Sequence, residues 1–307
     1  MRTGRLMAAL AALTVTLMGG AACGSSDRPQ IVVTTNILGD VVTQLVGDEA
    51  EVSVLMKPNA DPHSFGISAR EAHAMQSADL VVYNGLGLEE GVLQHVEAAR
   101  TEGAPAIEVG ARVEPMEYQD GDAAGTPDPH FWTDPARMVT AVRLLTDEIV
   151  KQVDGVDAAA VRKRADAYAK QVSDLDADLA ERVAGLPAER RVLVTNHHVF
   201  GYFAERYDFR VIGAIIPGGT TLASPSSSDL ASLTSAIRTH QVPAIFADTS
   251  QPARLAEVLA AEAGVQVRVV PLFSESLSEP DQDAGTYLDM MRFNADAIIG
   301  GLSGNGR

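Results

Sequence analysis

The chain has 307 residues, with 41 Asp or Glu against 24 Lys or Arg and a formal net charge of −17 at pH 7. That balance argues against a nucleic-acid partner, which calls for a basic surface. The single cysteine, Cys23, excludes an intrachain disulfide and a thiolate metal cluster.

Arg2 and Arg5, an apolar run from Leu6 to Met18 and the small residues before Cys23 have the three regions of a secretory signal. The run is shorter than the about 20 residues that span a bilayer. Cys23 reads as a lipobox cysteine that becomes the lipidated mature N-terminus, with Gly20 standing where such boxes usually carry leucine. An ordinary signal peptide followed by a chance cysteine is the alternative. Removing residues 1–22 takes away Arg2 and Arg5 and no acid, so the charge moves from −17 to −19. A negative surface concentrates cations without choosing among them, and it equally keeps an exported protein soluble. Residues 23–30 form a polar, lipidated tether without apolar periodicity.

From Ile31 the pattern alternates between short apolar runs and helical spacings. Strands are expected at 31–35, 52–56 and 80–83, and helices at 38–46, 69–76 and 91–99. A second series has strands at 192–195, 211–216, 244–246 and 267–271, with helices at 227–238, 251–263 and 286–299. Alternating βα units predict an α/β fold of two similar lobes, each with a mainly parallel sheet covered by helices. Between them, Tyr168, Val172, Leu175, Leu179 and Val183 recur at helical intervals within 158–183, and Gly185 and Pro187 end the run. The expected organisation is an N-terminal lobe over 31–155, one long linking helix within 156–186 and a C-terminal lobe over 187–307. A single continuous helix restricts the lobes to small rocking motions. A ligand is expected between them at the strand ends.

Three histidines stand on restricted backbone: His63 in Ala-Asp-Pro-His-Ser-Phe, His130 in Asp-Pro-His-Phe-Trp, and His197 just after a predicted strand. Proline fixes its own φ and restricts the residue before it, which limits where the following imidazole points. Imidazole is the commonest zinc ligand, and it is available in its neutral form near neutral pH.

Four motifs in this order, Asn59-Ala-Asp-Pro-His63, Ala78–Glu89, Asp128-Pro-His-Phe-Trp132 and His197 with Phe200-Gly-Tyr-Phe203, resemble the zinc and manganese substrate-binding lipoproteins of ABC importers over nearly the whole mature chain. The resemblance implies a cluster A-I binding protein with a buried four-ligand metal site in the cleft. It puts the first three ligands on His63, His130 and His197. The fourth falls on Glu275 in Leu-Phe-Ser-Glu-Ser, where the family usually carries aspartate. Many zinc-binding relatives have a histidine-rich loop before the second ligand; here 113–127 holds Glu114, Glu117, Asp120 and Asp122 but no histidine.

The implied function is that of a non-enzymatic extracytoplasmic receptor, a lipid-anchored monomer that binds one divalent ion and hands it to a membrane permease. Zinc is the expected ion and manganese the alternative. A secreted zinc hydrolase is the competing class, although no HExxH pair or serine elbow is present. Asp248 is expected to hydrogen-bond a ligand imidazole and fix its tautomer. Trp132 is read as a cleft wall or ordinary core, His198 as an outer or solvent-facing residue, and His73, His95 and His240 as surface residues.

Overall fold

A computed structural model describes residues 28–119, 123–264 and 267–303; the signal segment, Cys23 and most of the tether lie outside them. The first lobe runs β1 (Gln30–Val33), α1 (Asn36–Val46), β2 (Glu51–Val54), α2 (Ala69–Gln76), β3 (Leu80–Tyr83), α3 (Leu93–Thr101) and β4 (Ala106–Glu108). Then come α4 (Pro135–Gln152) and α5 (Ala158–Ala184). The second lobe runs β5 (Val192–Thr195), α6 (Gly201–Tyr207), β6 (Arg210–Ala214), α7 (Ser227–Thr239), β7 (Ala244–Asp248), α8 (Arg254–Glu262), β8 (Arg268–Leu272) and α9 (Tyr287–Leu302).

Each lobe has a four-stranded sheet, in the order β2-β1-β3-β4 and β6-β5-β7-β8, and all the strand pairs are parallel. Parallel sheets are covered on both faces. Accordingly β3, β5 and β7 are buried at every residue, which is why they read as unbroken apolar runs.

Helix α5 buries Val161, Ala165, Tyr168, Val172, Leu175, Leu179 and Val183 on one stripe. With it α5 packs on α1 and α4 of the first lobe and on α9 of the second. Asp157 caps its start, accepting from Ala159 N at 2.9 Å. The link is thus one long helix, as the periodicity predicts, but it is doubled along the first lobe by α4, which the sequence expectations omit. Asp134 caps α4 by accepting from Ala136 N at 2.8 Å, and Pro135 occupies the first turn. Also absent from the expectations are the three-residue β4 and the seven-residue α6, both too short to display a period. The first strand stops at Val33 and the helix begins at Asn36, with bends at Thr34 and Thr35 between them. No helix among the described residues is long and apolar enough to cross a membrane.

Candidate metal centre

His63 lies in the loop after β2, His130 just ahead of α4, His197 just after β5 and Glu275 just after β8. Two of these segments come from each lobe, and all four side chains converge in the cleft with ligating atoms within 4.8 Å of one another. His197 Nε2 and His130 Nε2 lie 3.2 and 3.4 Å from Glu275 Oε1, and 3.4 Å from each other. His63 Nε2 lies 3.4 Å from the other carboxylate oxygen, Oε2.

These separations can be tested against an ion. Donors about 2.0–2.1 Å from a common centre in tetrahedral directions stand roughly 3.3–3.4 Å apart. Glu275 Oε1 and the Nε2 atoms of His130 and His197 stand at about that spacing, and His63 Nε2 is as far from the other carboxylate oxygen. The four residues are also at most 1% exposed, while both nitrogens of His63, Nδ1 of His197 and both oxygens of Glu275 have no hydrogen-bond partner among the described residues. Buried polar atoms left unpaired cost free energy, and a cation at their centre would satisfy those that face inward.

The electrostatics point the same way. Burial alone would raise the pKa of Glu275, but attraction to His130 and His197 and the close approach of His197 and His63 outweigh it and hold the carboxyl below the usual range. For His63, burial opposes protonation, but contact with Glu275 and the charges of Glu275, Asp61 and Glu90 prevail and raise its pKa. An ionised Glu275 carboxylate beside the proton-attracting imidazole of His63 suits a site for positive charge.

Outer contacts aim the ligands. Asp128 Oδ1 lies 2.7 Å from His130 Nδ1, and the Tyr118 hydroxyl lies 3.2 Å from the same nitrogen, so Nε2 is left to face the centre. The ring of Trp132 stands edge-on to His130, with centroids 5.2 Å apart. Its Nε1 donates to Ser274 O at 2.9 Å, so this buried residue is both wall and tie between lobes. Asn36 strengthens the tie, donating to Ser276 Oγ at 2.8 Å and accepting from Leu277 N at 3.0 Å. The loop that bears Glu275 is therefore clamped by the first lobe.

Asp248 departs from the expectation. Its carboxylate accepts from Ser250 N at 2.7 Å and Ser274 N at 3.2 Å, and from both serine hydroxyls, rather than from an imidazole. The reason is register: β7 and β8 are neighbours with Asp248 opposite Leu272, so its side chain meets the loop leaving β8. It steadies the residue before Glu275. Burial first, and then the like charge of Glu275, raise its pKa.

The backbone N–H of His198 donates to Gly218 O at 3.1 Å, and its side chain lines a cavity of about 760 Å³ beside the centre. His73 and His240 are exposed and His95 is half-buried. Glu114 and Glu117 are exposed, and Asp120 and Asp122 fall outside the described residues. Sequence reasoning overlooked Tyr118, Asp128 and Asn36. Asp128 alone carried a local signal, as the aspartate two residues before a candidate ligand histidine.

Residues 31–301 match the family described as "Zinc-uptake complex component A periplasmic". The zinc-binding protein TroA of Treponema pallidum is 31% identical over 291 residues, covering 92% of this chain and 93% of that protein. The manganese-binding lipoprotein MntA of Halalkalibacterium halodurans is 25% identical over 291 residues, covering 92% and 94%. Among solved structures, the periplasmic zinc binding protein TroA from Treponema pallidum superposes with a TM-score of 0.83 at 30% identity, over 90% of this chain and 99% of that one. The Mn-bound periplasmic metal binding protein from Candidatus Liberibacter asiaticus does so with a TM-score of 0.79 at 25% identity, over 90% and 100%.

Proposed function

The chain belongs to the zinc-uptake complex component A family of metal-binding receptors for ABC importers, and on that premise we propose that it captures one zinc ion through His63, His130, His197 and Glu275. The observation that carries the reading is the buried quartet of convergent donors, three of which stand at the spacing of zinc ligands. Three imidazoles and one carboxylate form a nitrogen-rich set that suits zinc. Four protein donors also fill the shell, whereas a catalytic zinc keeps a position open for water, and this favours capture over hydrolysis.

Manganese is the second reading. Both oxygens of Glu275 face histidines, at 3.2 to 3.4 Å, so the carboxylate can offer two donors and raise the coordination number. Manganese prefers more oxygen ligands than zinc does.

The proposal extends to the rest of the cycle. The protein works outside the cytoplasm as a monomer with lobes at 31–155 and 187–307 joined through 156–186, and passes its ion to a membrane permease. Cys23 carries the lipid that holds it at the membrane, and stable anchoring takes more than one acyl chain.

Metal content of protein purified without added metal, followed by competition between zinc and manganese and by uptake in cells, tests the reading. One equivalent of zinc, lost in Glu275→Gln but retained in Glu279→Gln, is the expected result. Tight zinc binding in vitro alone does not decide the cargo, because the Irving–Williams order favours zinc over manganese at most sites. Zinc uptake unaffected by deletion of the protein would overturn the zinc assignment.

A further inference from the structure

The two Asp-Pro-His turns are built alike and connected differently. In each, aspartate Oδ1 accepts from the backbone N–H of the histidine two residues on, at 2.9 Å in both cases. Asp128 then places that same oxygen against the ring of its own histidine. Asp61 instead turns Oδ2 toward the other lobe, accepting from Thr221 Oγ1 at 2.6 Å and Gln251 Nε2 at 2.8 Å, besides Ser64 Oγ at 3.0 Å. A carboxylate has about four lone-pair sites, so these donors saturate it. With Asp61 buried, losing the second-lobe donors while the lobes stay closed would leave lone pairs unsatisfied.

Thr221 belongs to a strap, residues 217–222, that reaches the surroundings of the other histidines as well. Gly219 O accepts from the Tyr118 hydroxyl at 3.4 Å, and that hydroxyl also faces His130 Nδ1. Gly218 O accepts from the N–H of His198, next to His197. Thr220 Oγ1 donates to Glu90 across the cleft at 3.2 Å. A Cβ on Gly219 would fall 2.2 Å from the Tyr118 oxygen, so only glycine lets the strap lie this close. One short segment thus touches Asp61 and Tyr118, which hold His63 and His130, and the residue that follows His197.

We propose that Asp61 is a positioning residue for metal capture, fastening His63 of one lobe to the 217–222 strap of the other so that ligation and strap closure are one event. The proposal rests on the metal-receptor reading. Linkage makes the coupling reciprocal: if the closed strap tightens metal binding, metal closes the strap by the same factor. The strap then governs release: the four donors are buried, so unfastening this edge speeds the ion's departure.

The test uses the full chain and zinc chloride. Thr221→Val with Gln251→Leu removes both donors from the second lobe and leaves His63 and Asp61 in place; each single variant serves should the pair fail to fold. Wild-type protein is expected to show zinc-dependent protection of the strap amides in hydrogen exchange, and the double variant to lose it. Zinc release into excess chelator should quicken by at least about tenfold, the factor for one lost charged hydrogen bond of roughly 1.4 kcal/mol. Metal-free melting should stay put, and Thr221→Ser, which restores the hydroxyl, should release at the wild-type rate. Wild-type release and protection in the double variant would overturn the strap while leaving the receptor reading intact. Failure of the wild-type chain to bind zinc or manganese would overturn both.

Discussion

His63 and His130 are delivered by the same three residues and the same backbone hydrogen bond, yet the turns around them do different work. In the turn at 128–130 the Asp128 carboxylate fixes the ring of its own histidine, and the contact with the other lobe is made by its backbone carbonyl, which accepts from Tyr202 at 2.6 Å. The turn at 61–63 is open, with its aspartate bonded to the opposite lobe. A local motif therefore determines where an imidazole starts. What its partner carboxylate holds depends on whatever the fold brings to the far side.

The largest effect erases the comparison. Alanine at His63 or His130 removes one of four donors and leaves Glu275 with less positive company, so both variants should lose zinc affinity by more than the roughly 10–100-fold that outer partners contribute. Titration calorimetry would show it, and unchanged affinity in His130→Ala would remove that residue from the site.

The next prediction separates the turns. Asp128→Asn disturbs the tautomer and aim of His130, and should weaken equilibrium zinc binding by about 10–100-fold. Asp61→Asn keeps an acceptor for the His63 N–H, so its main effect should be faster release. Equal equilibrium losses with equal release rates would mean that the two aspartates do the same job.

Proton competition sharpens the contrast further. The folded pKa of His63 lies above the ordinary 6.5, chiefly because Glu275 overcomes the opposing effect of burial. As pH falls through that raised value a proton occupies the imidazole, and zinc must displace it. Affinity should therefore begin to fall above pH 6.5, and decline toward about tenfold per pH unit for each proton displaced. Affinity that is flat between pH 8 and 5.5 would contradict the electrostatics of the centre.

The smallest effect falls on Tyr118→Phe, which removes one neutral hydroxyl between His130 and the strap. The loss is of order 1 kcal/mol, or about fivefold in zinc affinity. An effect as large as that of Asp128→Asn would place Tyr118 beside the aspartate as a holder of His130.

Much of the fold could be read from the chain because its signals are local. Buried parallel strands are short apolar runs, and α5 declares itself by spacings of three and four over about four turns, from Tyr168 to Val183. Helix α4 had equally local signals in its Asp134-Pro135 start. The quartet was less local: a preceding proline marked His63 and His130 and a strand end marked His197, but Glu275 came only by resemblance, since a carboxylate in a loop carries no pattern of its own. Asp248 misled because closeness to a strand end says nothing of which neighbour its side chain meets; pairing of β7 with β8 turned it to Ser274.

Sequence by itself determined the two α/β lobes, the helix between them and the three histidines, through periodicity and proline restraint that act within a few residues. Tertiary structure alone decided that both oxygens of Glu275 face the histidines, that Trp132 and Asn36 clamp the loop that bears it, and that Asp61 joins Thr221, 160 residues away. Hydrogen bonds across such separations form between groups whose meeting depends on how whole lobes pack. No local property of either partner encodes them.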